Sequence, residues 1–190
     1  MEGQTLQEWA GSSRQFALVF TDIIESTSLG NSLGDERWIE LLLIHFEHAR
    51  TKMTEFDCHE IKIIGDSFMV VFRTVVDALD FALEFSGFTG DERIKIRAGI
   101  HVGPARIIED DIFGAMVNYT KRVESLATHR FRITLSDEAK NHVDYEKAAH
   151  HSGLEFRSRL VELKGFAEPR KIWGINRHSI KLPTGRLKSW

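Results

Sequence analysis

Hydrophobic and polar residues recur along the chain with two periods, one typical of helices and one typical of strands. Residues 93–102, RIKIRAGIHV, alternate between polar and apolar side chains, which predicts a half-buried strand. Between about residues 34 and 56 the spacing is the i, i+3, i+4 pattern of one apolar helical face, made by Trp38, Leu41, Leu42, His45 and Phe46. This spacing predicts a long amphipathic helix in the first third of the chain.

Two apolar runs in the second quarter of the chain predict a β-hairpin. Residues 60–64 and 68–72 are rich in Ile, Val and Phe, and they flank a short Gly-Asp-Ser link. Asp66 is therefore expected at the tip of the hairpin, where a carboxylate can reach beyond the sheet. Lys62 alternates with two isoleucines and is expected on the opposite face from them.

Shorter patterns complete the order of elements. They predict a buried strand at 16–20, helices at 74–85 and 115–127, a strand at 132–135, a helix capped by Ser136, and a closing hairpin around Lys164-Gly165. The order strand, helix, strand, strand, helix, strand, followed by further elements, predicts an α+β fold with a ferredoxin-like βαββαβ core. We expect a mostly antiparallel sheet with extra C-terminal strands and with the helices packed on one face.

The composition is that of one ordinary globular domain. The 190 residues are 42% hydrophobic and 28% charged, and a net charge of -3 leaves no basic excess of the kind that nucleic-acid binding requires. The single cysteine cannot form an intrachain disulfide. No apolar run approaches the ~20 residues of a membrane helix, and the N-terminus lacks the apolar core of a signal peptide. These features predict a cytoplasmic domain, or one cut from a longer chain, without a nucleic-acid partner or a membrane span.

Three parts are expected along the chain. Residues 1–14 are polar and are predicted to form a loose N-terminal arm, and residues 15–176 form the domain itself. Residues 177–190, RHSIKLPTGRLKSW, carry basic side chains and no acid. A solvated or disordered tail is favoured there over a dimer arm or a contact with an anionic surface.

Two aspartates are candidates for a metal site. Asp22 ends the first apolar strand, and in a strand-helix-hairpin unit this strand can pair beside the hairpin that carries Asp66. Two carboxylates without a surrounding His or Cys cluster favour a hard cation such as Mg²⁺ or Mn²⁺, and a paired site suits two-metal phosphoryl chemistry. Two unrelated surface aspartates, with Asp66 as a simple turn residue, remain the alternative.

The third predicted helix adds polar residues of a different kind. Asn118 and Arg122 are four residues apart and share a helical face, and Asp111 lies just upstream. Arginine suits an oxyanion that gathers charge, and asparagine suits a sugar hydroxyl. Taken singly, an ion-paired surface arginine, a capping asparagine and a turn aspartate are the favoured explanations. His45 and His48 lack a third ligand at suitable spacing, so core or surface histidines are favoured there over a metal site.

Five segments together resemble the catalytic domain of the class III adenylate and guanylate cyclases. They are FTDIIEST, EIKIIGDSF, RAGIHVG, DDIFGAMVNYTKR and LKGFAEPRKIW, in the order of that family and spread over about residues 15–175. The most specific is the D-x-x-G-x-x-V-N-x-x-x-R pattern from Asp111 to Arg122. The resemblance implies the class III nucleotide cyclase fold.

The resemblance also implies a role for each matching residue. Asp22 and Asp66 match the two aspartates that bind two Mg²⁺ or Mn²⁺ ions, and Ile23 matches the position whose backbone carbonyl touches metal. Lys62 and Asp111 match the pair that recognises the purine.

Three further matches concern the ribose and the phosphates. Asn118 corresponds to the residue that orients the ribose, and Arg122 to the arginine that stabilises the transition state. Lys164 resembles a lysine that contacts the nucleotide phosphates. In this family one subunit supplies the metal aspartates and its partner supplies the other contacts. This chain carries both sets, so the resemblance implies a homodimer with two equivalent composite sites.

Hydrogen-bond complementarity selects the expected substrate. Lysine only donates and ionised aspartate only accepts, so Lys62 and Asp111 complement the ring nitrogen and the amino group of adenine. Guanine reverses both positions, and buried mismatches cost ~1–3 kcal/mol each. We therefore expect an adenylate cyclase that makes cyclic AMP from ATP. The alternatives are a cyclase for GTP or a pyrimidine nucleotide, and a non-catalytic nucleotide-binding regulator; a diguanylate cyclase is disfavoured because its hairpin signature is absent.

Two departures from the family pattern stand close to the expected site. Glu25 occupies a place where many relatives carry a small residue, and an acid there would repel phosphate unless it points away. Tyr119-Thr120-Lys121 replaces small residues between Asn118 and Arg122. Lys121 is expected on a different helix face from Arg122 and without an effect on the reaction.

Overall fold

The computed structural model describes residues 4–142 and 153–175 and places nine strands and six helices in them. The strands are β1 (Gln15–Ile23), β2 (Cys58–Ile64), β3 (Ser67–Phe72), β4 (Ile96–Pro104), β5 (Arg106–Ile108), β6 (Asp111–Phe113), β7 (Ile133–Ser136), β8 (Phe156–Val161) and β9 (Arg170–Ile175). The helices are α1 (Leu6–Ala10), α2 (Ser26–Leu33), α3 (Asp35–Met53), α4 (Val75–Gly87), α5 (Ala115–Ser125) and α6 (Asp137–Lys140).

Seven strands form one sheet in the order β2-β3-β1-β4-β7-β9-β8, and β5 pairs with β6 in a separate hairpin. Only β4 and β7 run parallel; the other neighbours in the large sheet are antiparallel. Strands β1 to β4 with α3 and α4 are the predicted ferredoxin-like core, and β8 and β9 are the predicted closing hairpin. The expectation of a mostly antiparallel α+β fold is therefore confirmed.

Local chemistry explains where the two core helices begin and end. Asp35 and Glu36 lie in the first turn of α3, and Arg50 and Lys52 lie in its last turn, so the charges oppose the helix dipole at both ends. Helix α4 begins after Thr74, whose side chain accepts a hydrogen bond from the backbone N–H of Asp77. Residues at the ends of α3 and at the start of α4 therefore favour the observed helix termini.

Helices cover both faces of the sheet, which corrects the expectation of helices on one face. Helices α3 and α4 pack with Val19 and Val70 on one side. On the other side Phe20 pairs with Gly99, and Gly99 lies directly under the backbone of Glu124 in α5. Strands β1 and β3 are buried almost throughout because both of their faces are covered. Their uninterrupted apolar runs, rather than an alternating pattern, were the sequence signal for this arrangement.

The N-terminal segment is packed, so the prediction of a loose arm is wrong for the residues that the structure describes. Thr5 and Glu8 form a capping box for α1, and Leu6 and Trp9 are 0% and 5% exposed. The Trp9 indole N–H donates to Oδ1 of Asp57 at 2.6 Å. The spacing of Leu6, Trp9 and Ala10 gives this short helix an apolar face. The basic tail, residues 177–190, lies outside the described residues, and the boundary at 176 stays a prediction.

Over the described ranges, 4–142 and 153–175, the structure contains no helix that is both long enough and apolar enough to cross a membrane. The longest helix, α3, has 19 residues and carries charged side chains at both ends.

Gly99→Ala is expected to destabilise the protein strongly, because α5 sits on the bare backbone of β4. A Cβ at residue 99 would lie 2.2 Å from the backbone nitrogen of Glu124 and 2.4 Å from its Cα, so the helix would have to move. We expect a loss of ~3 kcal/mol or more, which lowers the melting temperature by at least ~6 °C. Gly153→Ala is the matched control, since a Cβ there meets no described atom within 4 Å. Equal melting temperatures for the two variants would contradict the close packing.

Candidate active site

Asp22 lies near the end of β1, between β3 and β4. The Ser67 hydroxyl donates to its Oδ1 at 2.6 Å, and Arg97, directly across the β1–β4 ladder, donates to its Oδ2 through Nε at 2.9 Å and Nη2 at 2.6 Å. Burial opposes ionisation of this carboxyl, but the hydrogen bonds from Ser67 and Arg97 outweigh it and hold the pKa of Asp22 below its usual range. Asp22 is therefore a fixed, ionised carboxylate.

Asp66 lies in the tight turn between β2 and β3, after Gly65, whose φ of +65° favours glycine. Its Oδ2 is buried and has no hydrogen-bond partner among the residues that the structure describes. A buried carboxylate oxygen without a donor is costly unless a cation approaches it. Because Asp66 precedes Ser67, which donates a hydrogen bond to Asp22, the two predicted metal aspartates lie at the same end of the sheet.

The donor set at this end of the sheet fits a hard divalent cation. Asp22 and Asp66 supply carboxylate oxygens, and Ile23, the last residue of β1, follows Asp22 in the chain. Within residues 4–142 and 153–175 no group of three or more His, Cys, Asp or Glu side chains is placed to hold a metal ion. The remaining positions around an ion would fall to carbonyl, water or phosphate oxygens.

A network of charges surrounds Asp22. The carboxylate of Glu124 is fully buried, with Arg97 Nε 2.5 Å from its Oε1 and Lys121 Nζ 2.9 Å from its Oε2. Burial raises the pKa of Glu124, although Lys121 and Arg97 oppose the shift. Lys121 also lies 3.6 Å from Oδ1 of Asp22 and donates to the Ser67 hydroxyl at 3.2 Å.

These contacts correct the expectation that Lys121 has no part in the site. Its place on a different helix face from Arg122 is as predicted, but that face is turned toward Asp22. Sequence reasoning also missed Arg97, Ser67 and Glu124. The available signals were the Lys121–Glu124 spacing of one helical turn and the serine that follows Asp66, but the pairing with Arg97 depends on a strand register that the sequence does not specify.

The predicted purine pair is in contact. Lys62 on β2 donates through Nζ to Oδ2 of Asp111 on β6, and Oδ1 of Asp111 accepts from the backbone N–H of Ile112 at 2.8 Å. The side chains are 42% and 27% exposed, so both remain accessible to a ligand. An ammonium and a carboxylate thus lie side by side on the surface.

Asn118, Arg122 and Lys164 form the third set of predicted residues. Asn118 is exposed on α5, and Arg122 lies against the connection between β8 and β9. A Cβ on Gly165, next to Lys164, would lie 3.4 Å from Nη1 of Arg122. Two neighbouring residues of α5 therefore point in different directions. Lys121 points toward Asp22, and Arg122 points toward the β8–β9 connection that carries Lys164.

Glu25 points away from the backbone N–H groups of α2. It is the residue before this helix, has a φ of +57°, and forms no side-chain cap among the described residues. Its side chain is 72% exposed, with Oε1 3.7 Å from Nε2 of His129.

The two helical histidines have structural contacts. Nδ1 of His45 lies 3.0 Å from the carbonyl oxygen of Thr89, and Nε2 of His48 lies 3.1 Å from that of Phe88. His45 is buried, and this burial lowers its pKa, which keeps the imidazole neutral. Both histidines thus hold α3 to the segment that follows α4, as the favoured interpretation predicted.

Residues 10–174 match the family described as the adenylate and guanylate cyclase catalytic domain. Receptor-type adenylate cyclase ESAG 4 of Trypanosoma brucei brucei is 23% identical over 218 residues, which cover 86% of this chain and 17% of that protein. Atrial natriuretic peptide receptor 2 of Bos taurus is 26% identical over 208 residues, which cover 97% of this chain and 19% of the receptor. The chain thus spans less than a fifth of the length of these curated relatives.

Solved structures with both nucleotide specificities share the fold. The adenylyl cyclase CyaB from P. aeruginosa superposes with a TM-score of 0.68 at 21% identity, covering 85% of this chain and 93% of that one. The guanylate cyclase domain of RhGC from Catenaria anguillulae, in complex with GTP, gives a TM-score of 0.69 at 20% identity, covering 86% and 96%. At these sequence identities the structural similarity shows the fold alone. It does not distinguish ATP from GTP as the substrate.

Proposed function

The chain belongs to the adenylate and guanylate cyclase catalytic-domain family, and from this premise we propose that it converts ATP to 3′,5′-cyclic AMP and pyrophosphate. The observation that carries the choice of ATP is the contact between Lys62 and Asp111, which presents a donor and an acceptor side by side. The proposed metal-assisted cyclisation is supported by the location of Asp22 and Asp66 at the same end of the sheet.

Asp22, Asp66 and the carbonyl of Ile23 are the residues that would hold two Mg²⁺ or Mn²⁺ ions. When bound, such ions activate the ribose 3′-hydroxyl and neutralise charge on the triphosphate. The chain's own part is to keep the carboxylates ionised and fixed, which Ser67 and Arg97 do for Asp22. The buried Oδ2 of Asp66 supplies a second oxygen that no described donor already occupies.

The nucleotide would be read and oriented by the remaining predicted residues. Lys62 donates to a ring nitrogen of adenine and Asp111 accepts from its amino group. Asn118 orients the ribose, while Arg122 and Lys164 face the negative charge that gathers on the phosphates. Their common location at α5 and the β8–β9 connection supports a shared role.

The reaction balances without a further reactant. The 3′-oxygen attacks the α-phosphorus in line, the bond from that phosphorus to the bridging oxygen breaks, and pyrophosphate leaves. The hydroxyl proton passes to solvent or to a substrate phosphate, because the only side-chain bases among the predicted residues are the carboxylates assigned to metal and adenine.

We infer that the active sites are shared between two copies of this chain. The family's catalytic domains work as dimers, and the different directions of Lys121 and Arg122, about 100° apart around α5, support the same arrangement here. Lys121 faces the aspartates of its own subunit, whereas Asn118 is exposed and available to a partner. A two-fold homodimer would then build two equivalent sites.

Direct assay with four nucleotides tests the proposed function. The protein is incubated separately with ATP, GTP, CTP and UTP in the presence of Mn²⁺, and the products are identified by mass spectrometry. We expect cyclic AMP from ATP as the main product. Cyclic GMP as the main product would favour the alternative that the solved guanylate cyclase structures suggest, and no cyclic product from any nucleotide would contradict a catalytic role.

Lys62→Glu combined with Asp111→Cys is expected to weaken the use of ATP at least tenfold in kcat/KM and to raise the relative use of GTP. The reason is that the donor and the acceptor for adenine are both removed, at ~1–3 kcal/mol for each mismatch. The measurement is kcat/KM for ATP and for GTP, determined side by side for each variant. Lys62→Glu with Asp111→Lys is the matched control, because it keeps an ion pair but exchanges donor and acceptor. Unchanged preference for ATP in both double variants would show that the pair does not read the base.

A further inference from the structure

The carboxylate of Asp22 is already surrounded by donors. Ser67 and Lys121 approach Oδ1, and Arg97 makes two hydrogen bonds to Oδ2. Asp66 presents the opposite case, since its buried Oδ2 has no partner among the described residues. One of the two predicted metal aspartates is thus neutralised by the protein's own cations, while Oδ2 of the other has no hydrogen-bond donor among the described residues.

Arg97 and Lys121 differ in how firmly they are held beside Asp22. The Arg97 guanidinium is fixed by two hydrogen bonds to Asp22 and by Glu124 at 2.5 Å. Lys121 lies 3.6 Å from Asp22 and donates a 3.2 Å hydrogen bond to the Ser67 hydroxyl, both longer than the contacts of Arg97, and its side chain is 45% exposed on a flexible stem. Lys121 is therefore the more weakly held of the two cations beside Asp22.

Glu124 can keep the Lys121 ammonium ion-paired after it moves away from Asp22. Its Oε2 lies 2.9 Å from Nζ of Lys121 in the same helix, so the lysine can lose Asp22 without becoming an unpaired charge. A divalent ion on Asp22 would repel the ammonium, because like charges a few ångströms apart are unfavourable where solvent screens them poorly. The contact with Glu124 would leave the displaced ammonium of Lys121 paired with a carboxylate.

We propose that Lys121 occupies a cation position beside Asp22 in the metal-free protein and yields it to a divalent ion, so that this lysine sets the metal concentration at which the site fills. Lys121 is a positioning residue in this scheme and touches neither substrate nor product. The inference rests on the proposed function through the assignment of Asp22 as a metal ligand.

Binding of Mn²⁺ in the absence of nucleotide tests the inference without reference to activity. Electron paramagnetic resonance of free Mn²⁺ is used to titrate the wild-type protein and Lys121→Gln. We expect the variant to bind about tenfold more tightly, by analogy with the shift of one or more pKa units that a neighbouring charge exerts on a carboxylate. Lys121→Arg keeps the cation and is expected to bind within about twofold of wild type. Equal or weaker binding by Lys121→Gln would overturn the inference.

Two controls make the result specific. Lys171→Gln removes the same charge from a lysine of similar exposure, 43%, that lies 3.8 Å from Asp137 on another surface, and it should not change Mn²⁺ affinity. Asp22→Asn should weaken binding, and unchanged binding in that variant would remove the premise and the inference with it. Thermal melting of each variant confirms that it is folded.

The outcomes separate this inference from the proposed function. Tighter Mn²⁺ binding by Lys121→Gln, together with no cyclic product from any nucleotide, would support the role of Lys121 and contradict the catalytic proposal. Cyclic AMP formation together with unchanged Mn²⁺ binding by Lys121→Gln would leave the proposed function standing and overturn the role of Lys121.

Discussion

Asp22→Ala and Asp66→Ala are each expected to lower the rate of cyclic nucleotide formation by ~10³-fold or more while the protein stays folded. Each substitution removes a carboxylate oxygen from an end of the sheet where metal ions would contribute several kcal/mol of transition-state stabilisation. The two variants should differ in stability. Asp66→Ala removes a buried oxygen that lacks a partner among the described residues, whereas Asp22→Ala breaks the hydrogen bonds from Ser67 and Arg97.

Measurement of initial rates at saturating ATP and Mn²⁺, with melting curves for each variant, gives the answer. Asp91→Ala is the matched control, because Asp91 pairs with Arg93 in the segment between α4 and β4 and is not one of the predicted site residues. Its rate should stay within about twofold of wild type. A comparable rate in either Asp22→Ala or Asp66→Ala would remove the two-metal assignment.

Mixing two inactive variants, Asp66→Ala and Arg122→Ala, is expected to restore about a quarter of wild-type activity. The two lesions damage opposite halves of a shared site. In a mixed dimer one interface receives both lesions and the other receives neither. Random exchange of equal amounts gives half heterodimers, each with one intact site of two, so the recovery follows from two-fold symmetry.

A second mixture controls for unspecific recovery. Asp22→Ala and Asp66→Ala damage the same half of the site, so every site in their heterodimer keeps one lesion and no activity should return. Native mass spectrometry verifies that subunits exchange in both mixtures. Confirmed heterodimers of Asp66→Ala with Arg122→Ala that make no cyclic nucleotide would rule out composite sites and place all the residues in one chain.

The core of the fold was predictable because its signals are local. The helical spacing of Leu41 and His45 predicts α3, and the two apolar runs around Gly65-Asp66 predict the β2–β3 hairpin that places Asp66 at the end of the sheet. Each of these signals lies within one element or its adjoining turn. The structure therefore agrees with the sequence where the pattern and the contact are close in the chain.

The parts that the sequence did not predict depend on how distant elements meet. The pair of Asp22 and Arg97 requires the register of β1 against β4, and a shift by one residue would separate them. The approach of Lys121 to Asp22 requires the rotation of α5 over the sheet, which is fixed by the bare backbone at Gly99. The docking of α1 through Trp9 likewise depends on Asp57, 48 residues away.

The two faces of α5 have a consequence for a dimer of the proposed kind. Lys121 and Arg122 are consecutive residues, yet the first adjoins the metal aspartate of its own subunit and the second would serve the site completed by the partner's aspartates. An ion that displaces Lys121 at one site therefore acts on the same helical turn that carries the transition-state arginine of the other. In the proposed dimer the two sites would be coupled through α5, and we expect the rate to depend on metal concentration with a sigmoidal rather than a hyperbolic curve.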